Sequence, residues 1–376
     1  MANREIIEKI RSAHVMEQGV YAIPLADKLE ENIGAPVIVA ALNNADVDGV
    51  FLQLLKKDPA KILEGLNICK DAIGAENAVI QLPEYAASMA EQLQAKGAAV
   101  QVGLINVRAN AGNMLTHLAS MADVADAFRG TYTEGVYVSV NGGAICKVSA
   151  DTKLKDLVSG DIKGFQTGYV FRGSEALDMT VAEAQIENGV LNALTSQNCV
   201  VDLTEKQLTA SRKQSCGKCV FCREGLIQLQ GMQKDITVGK GRLDELDLTK
   251  EIGEAMTYST PCSMGQNCSR LALSAVEVFR SEYEEHIKKH KCSADVCLAF
   301  RKVYIDPMAC TGCASCIPSC PVDAIDGAEG YIHVVFDHGC TRCGKCVDAC
   351  PEKAIHVTTG TVPKLPKRMM KVGRFK

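Results

Sequence analysis

The chain has 376 residues, enough for two to four domains, with 47% hydrophobic and 23% charged residues and a formal net charge of -4. That balance argues against nucleic acid as a partner, as do the absence of Trp and an aromatic content of only 5%. The longest apolar run, APVIVAAL, is far short of the roughly 20 residues a membrane span needs, and MANREIIEKIR is charged from its fourth residue with no secretory core, so a cytoplasmic chain without a membrane span is expected.

From Arg4 to Ala125, helical patterns alternate with short apolar strands: EIIEKIRSA, APVIVAALNN, PAKILEGLNICKDAIGA, AVIQLP, EYAASMAEQLQAKG and AVQVGLINV. This alternation predicts a parallel sheet covered by helices, an α/β domain over 1–128. From Tyr132 the pattern changes to a hairpin turning at Asn141-Gly142-Gly143, then a capped helix from Asp151, a small β-rich domain over 129–181. Helical patterns fill 182–297, including one long amphipathic run, LALSAVEVFRSEYEEHIKKH, ending at His290. A compact cysteine-dense module spans 298–358, and the basic stretch KLPKRMMKVGRFK within 359–376 is expected to be a solvated end.

Cysteine carries the chemistry. Three of the 18 (Cys69, Cys146, Cys199) precede Ser215, leaving 15 from Cys216 onward, and clustered thiols in a reducing compartment point to metal rather than disulfides. CTGCASCIPSCP (Cys310, Cys313, Cys316, Cys320) and CTRCGKCVDACP (Cys340, Cys343, Cys346, Cys350) repeat one spacing, that of bacterial two-cluster ferredoxins. In that pattern the fourth cysteine of each run crosses to the other cluster. Cys310, Cys313, Cys316 and Cys350 are thus expected on one 4Fe-4S cluster, and Cys340, Cys343, Cys346 and Cys320 on the other.

In SCGKCVFCREG, Cys216, Cys219 and Cys222 supply three ligands just ahead of a helix whose N-terminal amides favour an anionic centre, with Arg223 as a positive neighbour. The fourth must come from elsewhere, with Cys262 a better candidate than Cys268. HIKKHKCSADVC offers a candidate zinc set, His286, His290, Cys292 and Cys297, which would stiffen the join to the ferredoxin module. Cys69, Cys146, Cys199 and Cys268 are expected as small buried hydrophobes, and His117 and His333 as structural residues.

SCGKCVFCREG followed by TPCSMGQ resembles the cluster-binding helical domain of the NADH dehydrogenase flavoprotein family, which implies Cys262 as the fourth ligand. VFRSEYEEHIKKHKCSADVC leading into a ferredoxin is similar to the NAD-binding β subunit of electron-bifurcating hydrogenases and related formate dehydrogenases. The resemblance also implies a β-grasp domain of the soluble-ligand-binding type over Tyr132 to Val158, and an α/β domain that binds FMN and NAD through glycine-rich loops. Those loops are missing: Met1 to Val37 contains no Gly-x-Gly-x-x-Gly, the acidic stretch is shortened to Asn44–Gly49, and VRANAGNMLTHLASM has one glycine and no acid. FMN and NAD are therefore expected to be absent.

The expected function is an electron-transfer subunit with three 4Fe-4S clusters, joining a flavin- or metal-containing catalytic partner to a ferredoxin or second subunit. The alternatives are an NADH-oxidising FMN subunit that uses unrecognised loops, and a docking scaffold.

Overall fold

The computed structural model describes residues 2–19, 23–107, 109–359, 362–366 and 368–375. Arg108 of the glycine-poor segment and Lys367 and Lys376 of the basic end lie outside the described residues. One compact unit comprises Met1–Ser196, Thr204–Gly231 and Leu246–Arg280, and a second Gln197–Leu203, Met232–Glu245 and Ser281–Lys376.

The first unit opens with α1 (Arg4–Ser12), where the Asn3 side chain accepts the Glu5 amide at 3.1 Å as an N-cap, and α2 (Leu25–Glu31). Then come β1 (Val37–Ala41), α3 (Leu52–Lys57), α4 (Pro59–Ile73), β2 (Asn77–Leu82), α5 (Ala90–Gln94), β3 (Ala99–Val102), β4 (Met114–His117) and α6 (Leu118–Arg129). Helix α4 has clear sequence stops: Asp58 caps it, Pro59 occupies its first turn and Gly74 ends it in the left-handed region. The four strands are parallel in the order β3-β2-β1-β4. After β3 the chain returns to place β4 on the far side of β1, so the strand order reverses between β1 and β4, where open α/β sheets form a crevice at the strand carboxyl ends. Two local differences from the expected pattern occur here. EYAASMAEQLQ is mostly a 3-10 turn, Glu84–Met89, and the glycine-poor segment contains the fourth strand and the start of the buried helix α6.

A five-stranded mixed sheet follows: β5 (Val136–Val140), β6 (Cys146–Val148), β7 (Gly164–Thr167), β8 (Val170–Gly173) and, after the short α7 (Val181–Ala184), β9 (Val190–Leu194). Its order is β6-β5-β9-β7-β8, with β5 and β9 parallel. The β5–β6 hairpin turns where expected, with Asn141 and Gly142 at φ of +51° and +72°, the positive pair a type I′ turn requires. The helix expected from Asp151 is only a 3-10 turn, Leu154–Asp156, and the central strand β9 lies beyond residue 181, so the sheet runs past the expected boundary. Cys146, expected in the core, is exposed on the short strand β6.

Helices α8 (Val200–Gln214), α9 (Val220–Thr237), α10 (Asp244–Ser259), α11 (Ser263–Val278) and α12 (Arg280–Lys289) follow. The amphipathic run expected as one helix is two, because Phe279 leaves helical geometry and its ring packs edge-on against Phe171 at 6.3 Å. Helix α9 approaches α10 at Gly225, where a Cβ would lie 2.3 Å from Met256 Sδ. Helix α11 is tied to the mixed sheet by Ser274 Oγ, which accepts the Phe171 amide at 2.9 Å, and by Arg270 paired with the buried Glu187 at 2.7 Å.

In the second unit β10 (Lys302–Ile305) pairs antiparallel with β14 (Ile355–Thr358), β11 (Ile325–Asp326) with β13 (Val334–Val335), and β12 (Tyr331–Ile332) with β15 (Met370–Lys371); α13 (Lys345–Asp348) precedes β14. The basic end is therefore not wholly a solvated tail, since β15 adds to the module. Among the described residues no helix is long and apolar enough to cross a membrane.

Candidate metal centres

Cys216 and Cys219 in the loop before α9, Cys222 in its first turn and Cys262 as the N-cap of α11 line one hollow of about 320 Å³ of atom-free space. Two helices thus begin at the hollow, and their dipoles favour the negative charge of a thiolate centre. Burial pushes the Cys222 thiol up to about 11 against the opposing pull of Ser215, whose Oγ lies 3.7 Å from its sulfur. Burial also raises Cys262, although the Met264 and Gly265 amides donate to its sulfur and oppose the rise. Thiols held this high give up their protons to a metal rather than to water. Arg223 donates from Nη1 to the Gly217 carbonyl at 3.2 Å and braces the loop. Asn44 exchanges two 2.8 Å hydrogen bonds with the Ile105 backbone, placing Leu104 against the same hollow. Cys268 does not line it: its sulfur lies 3.7 Å from Met264 Sδ, and burial lifts its thiol to about 12.

In the second unit two further hollows are lined by four cysteines each. Cys310, Cys313, Cys316 and Cys350 surround about 270 Å³ of atom-free space, and Cys320, Cys340, Cys343 and Cys346 about 320 Å³. Each set combines three thiols of one repeat with the last of the other. Backbone amides aim at the sulfurs: Ala354 donates to Cys350 at 3.3 Å, Ala324 to Cys320 at 3.2 Å and Arg342 to Cys340 at 3.3 Å. Four soft donors and converging amides fit a cubane in all three places.

A fourth group corrects the expected zinc set. Cys199, His286, Cys292 and Cys297 are all buried, and their ligand atoms lie within 4.8 Å of one another. Cys199 Sγ is 3.3 Å from His286 Nε2 and 3.7 Å from Cys297 Sγ, and Cys297 Sγ is 3.5 Å from His286 Nε2. Zinc bonds of ~2.3 Å to sulfur and ~2.0 Å to nitrogen put tetrahedral edges at about 3.5–3.8 Å, so these separations fit. His286 donates from Nδ1 to the Glu282 carbonyl at 2.7 Å, which leaves Nε2 free to bind metal. His290 is not in the group. It lies past the end of α12 with φ of +47°, which turns its ring toward Phe300, 6.4 Å away between centroids. Cys199, expected as a plain core residue, takes its place from just before α8. No local spacing marks it, because 87 residues separate it from His286.

The crevice between β1 and β4 holds a cavity of about 540 Å³, lined by Asn43, Asn44, Thr116, His117 and, from α11 and its cap, Cys262 and Gln266. The cavity and the first thiol hollow share Cys262 and Asn44. Glu17, buried beside it, accepts from Lys28 Nζ at 2.7 Å, Thr116 Oγ1 at 2.9 Å, the His117 amide at 2.8 Å and Ser120 Oγ at 2.9 Å. His117 Nδ1 accepts the Ala119 amide at 3.2 Å, so Nε2 carries the ring proton, and that buried donor has no partner among the described residues. Burial holds its pKa down at about 3, so the imidazole is neutral.

Comparison with known proteins adds the following. Residues 202–286 match the NADH-ubiquinone oxidoreductase-F iron-sulfur binding region, and residues 309–355 a 4Fe-4S dicluster domain. NADP-reducing hydrogenase subunit HndC of Solidesulfovibrio fructosivorans is 35% identical over 39% of this chain and 30% of its own length. The F subunit of the NADH-quinone oxidoreductase of Streptomyces coelicolor is 32% identical over 30% of this chain and 25% of its own. The matches thus span less than a third of these curated relatives. A solved NAD+-reducing [NiFe]-hydrogenase, 16% identical, superposes with a TM-score of 0.66 over 77% of this chain and 64% of that one, a likeness of fold.

Proposed function

The chain belongs, through its iron-sulfur regions, to the family of NADH-quinone oxidoreductase F subunits, and from that premise we propose that it is an electron-relay component of a multi-subunit oxidoreductase. The observation that carries the reading is the set of three hollows, each lined by four cysteines. In it Cys216, Cys219, Cys222 and Cys262 hold one 4Fe-4S cluster, Cys310, Cys313, Cys316 and Cys350 a second, and Cys320, Cys340, Cys343 and Cys346 a third. A bound 4Fe-4S cluster supplies one-electron transfer. The chain's own residues hold the sulfurs and aim amides and helix N-termini at them. Substrate chemistry then belongs to a flavin- or metal-containing partner subunit, with a ferredoxin as a further exchange partner. Cys199, His286, Cys292 and Cys297 hold a structural zinc. Anaerobic reconstitution followed by iron, sulfide and zinc counts tests the reading, with about twelve iron and one zinc per chain expected; a count near eight iron or below contradicts it.

One observation favours a second reading. The cavity adjoining Cys262 has room for a planar heterocycle and offers it the unpartnered His117 Nε2–H. A small redox ligand there, flavin included, would exchange electrons with the first centre directly. Stoichiometric flavin in the purified protein would establish that reading over the first.

A further inference from the structure

The two cysteine repeats are related by a shift of 30 residues, and the shift superimposes the surroundings of their two hollows position by position. Ile305, Thr311, Ala354 and Ile355 line the hollow of Cys310, and Val335, Thr341, Ala324 and Ile325 line that of Cys340. Pro321 and Gly344 line only the Cys340 hollow, and at two shared positions the side chain changes its chemistry. Where Val303 lines the Cys340 hollow, His333 lines the Cys310 hollow, and where Val322 stands in one, Glu352 stands in the other. Both Val303 and His333 precede the first cysteine of the following run by seven residues.

His333 is 2% exposed, and its Nδ1 lies 3.5 Å from Cys310 Sγ. A thiolate sulfur only accepts, so the imidazole must place its proton on Nδ1. Its Nε2 then remains buried with no partner among the described residues. An unpartnered buried nitrogen costs stability, and the equivalent position shows that valine packs there without that cost. Stability alone therefore does not explain the histidine.

The residue opposite it has changed in step. Val303 pairs across the strands with Val357, whereas the residue 30 positions before Val357 is Gly327. A Cβ on Gly327 would lie 2.1 Å from His333 Cδ2 and 2.9 Å from Nε2. The glycine makes room for the imidazole, so a Val–Val pair in one half is a His–Gly pair in the other.

We propose that His333 makes the two ferredoxin-type centres unequal, donating its Nδ1–H to Cys310 Sγ so that the centre held by Cys310, Cys313, Cys316 and Cys350 is reduced first. Reduction adds one negative charge to that centre, and a hydrogen bond from the buried His333 to the buried Cys310 sulfur stabilises the added charge. Glu352 acts in the opposite sense, but it is exposed and solvent screens it. His333 is thus a positioning residue that works through Cys310.

The inference rests on the two-cluster reading and is tested by an EPR-monitored anaerobic redox titration of the full chain, with dithionite as reductant and iron counted in parallel. His333→Val is expected to keep its iron and to shift the partition of the electron between the two centres by at least tenfold toward the other, or ~59 mV for a one-electron couple. The pair Val303→His with Val357→Gly is expected to raise the other centre instead, and Glu352→Val not to lower the first. Unchanged midpoints in His333→Val with full iron overturn the proposal and leave the relay standing. Absence of the two clusters from the wild-type chain overturns both. Should His333→Val lose iron, pulsed EPR of wild-type protein labelled with 15N-histidine decides, because the reduced centre either shows a 15N coupling or the proposal fails.

Discussion

At the residue scale the proposed chemistry rests on cysteine sulfurs gathered four to a hollow. Cys262→Ser removes the one ligand of the first centre that lies outside the SCGKCVFC segment, and is expected to lower the iron count by about four per chain while the two ferredoxin-type signals persist. Zinc separates the two histidines: Cys199→Ala and His286→Ala are expected to abolish bound zinc, and His290→Ala to leave it, as measured by elemental analysis. Zinc loss on His290→Ala alone would restore the set expected from the sequence. Asp46, in the loop after β1, tests the electrostatics of the α/β domain. Burial raises its carboxyl from 3.8 to about 7, and one of its oxygens has no partner among the described residues. The folded chain therefore holds a proton that the unfolded chain releases. Stability is expected to fall as pH rises from about 4 to about 7 and to level off above it, by an amount on the order of 2–4 kcal/mol. Asp46→Asn is expected to flatten that profile in thermal scans; a wild-type transition independent of pH across this window contradicts the assignment.

At the element scale, helix crossings are set by glycines whose space is already occupied. A Cβ at Gly65 on α4 would fall 1.9 Å from the Met121 carbonyl oxygen of α6, a backbone atom that cannot step aside, so Gly65→Ala is expected to destabilise by about 1–3 kcal/mol or more. Gly231 on α9 has nothing within 4 Å of that position, and Gly231→Ala is expected to stabilise by about 0.5–1 kcal/mol. Denaturation midpoints of the two variants check both signs. The same scale shows what was legible in the sequence. Strand β1, helix α4 and the Asn141-Gly142 hairpin were, because apolar runs, a Pro and Asp start and glycine stops are local signals. Both cysteine repeats were legible for the same reason. The break at Phe279 was not, since the amphipathic pattern runs through it and a ring contact with Phe171 decides it. Strand β4 was hidden in a segment read only for its missing glycines, which concealed the role of His117 in the crevice. Cys199 could not be found by spacing, because a cysteine standing alone in sequence reads as a plain core residue.

At the scale of the whole molecule, the parallel sheet, the mixed sheet and the helices around α9 and α11 form a frame that brings one thiol centre beside a cavity, while the ferredoxin module supplies two more centres. The match of residues 202–286 and 309–355 to iron-sulfur regions, together with a sequence in which no Gly-x-Gly-x-x-Gly occurs in Met1 to Val37, supports the proposal that electrons enter through a partner. That division of labour is the central claim, and anaerobic addition of NADH followed by dithionite to the purified, reconstituted chain, with iron and flavin counted in the same sample, tests it most directly. The expected result is about twelve iron per chain, no stoichiometric flavin, no bleaching by NADH alone and full reduction by dithionite. Stoichiometric flavin together with clusters that NADH reduces without a partner would contradict it.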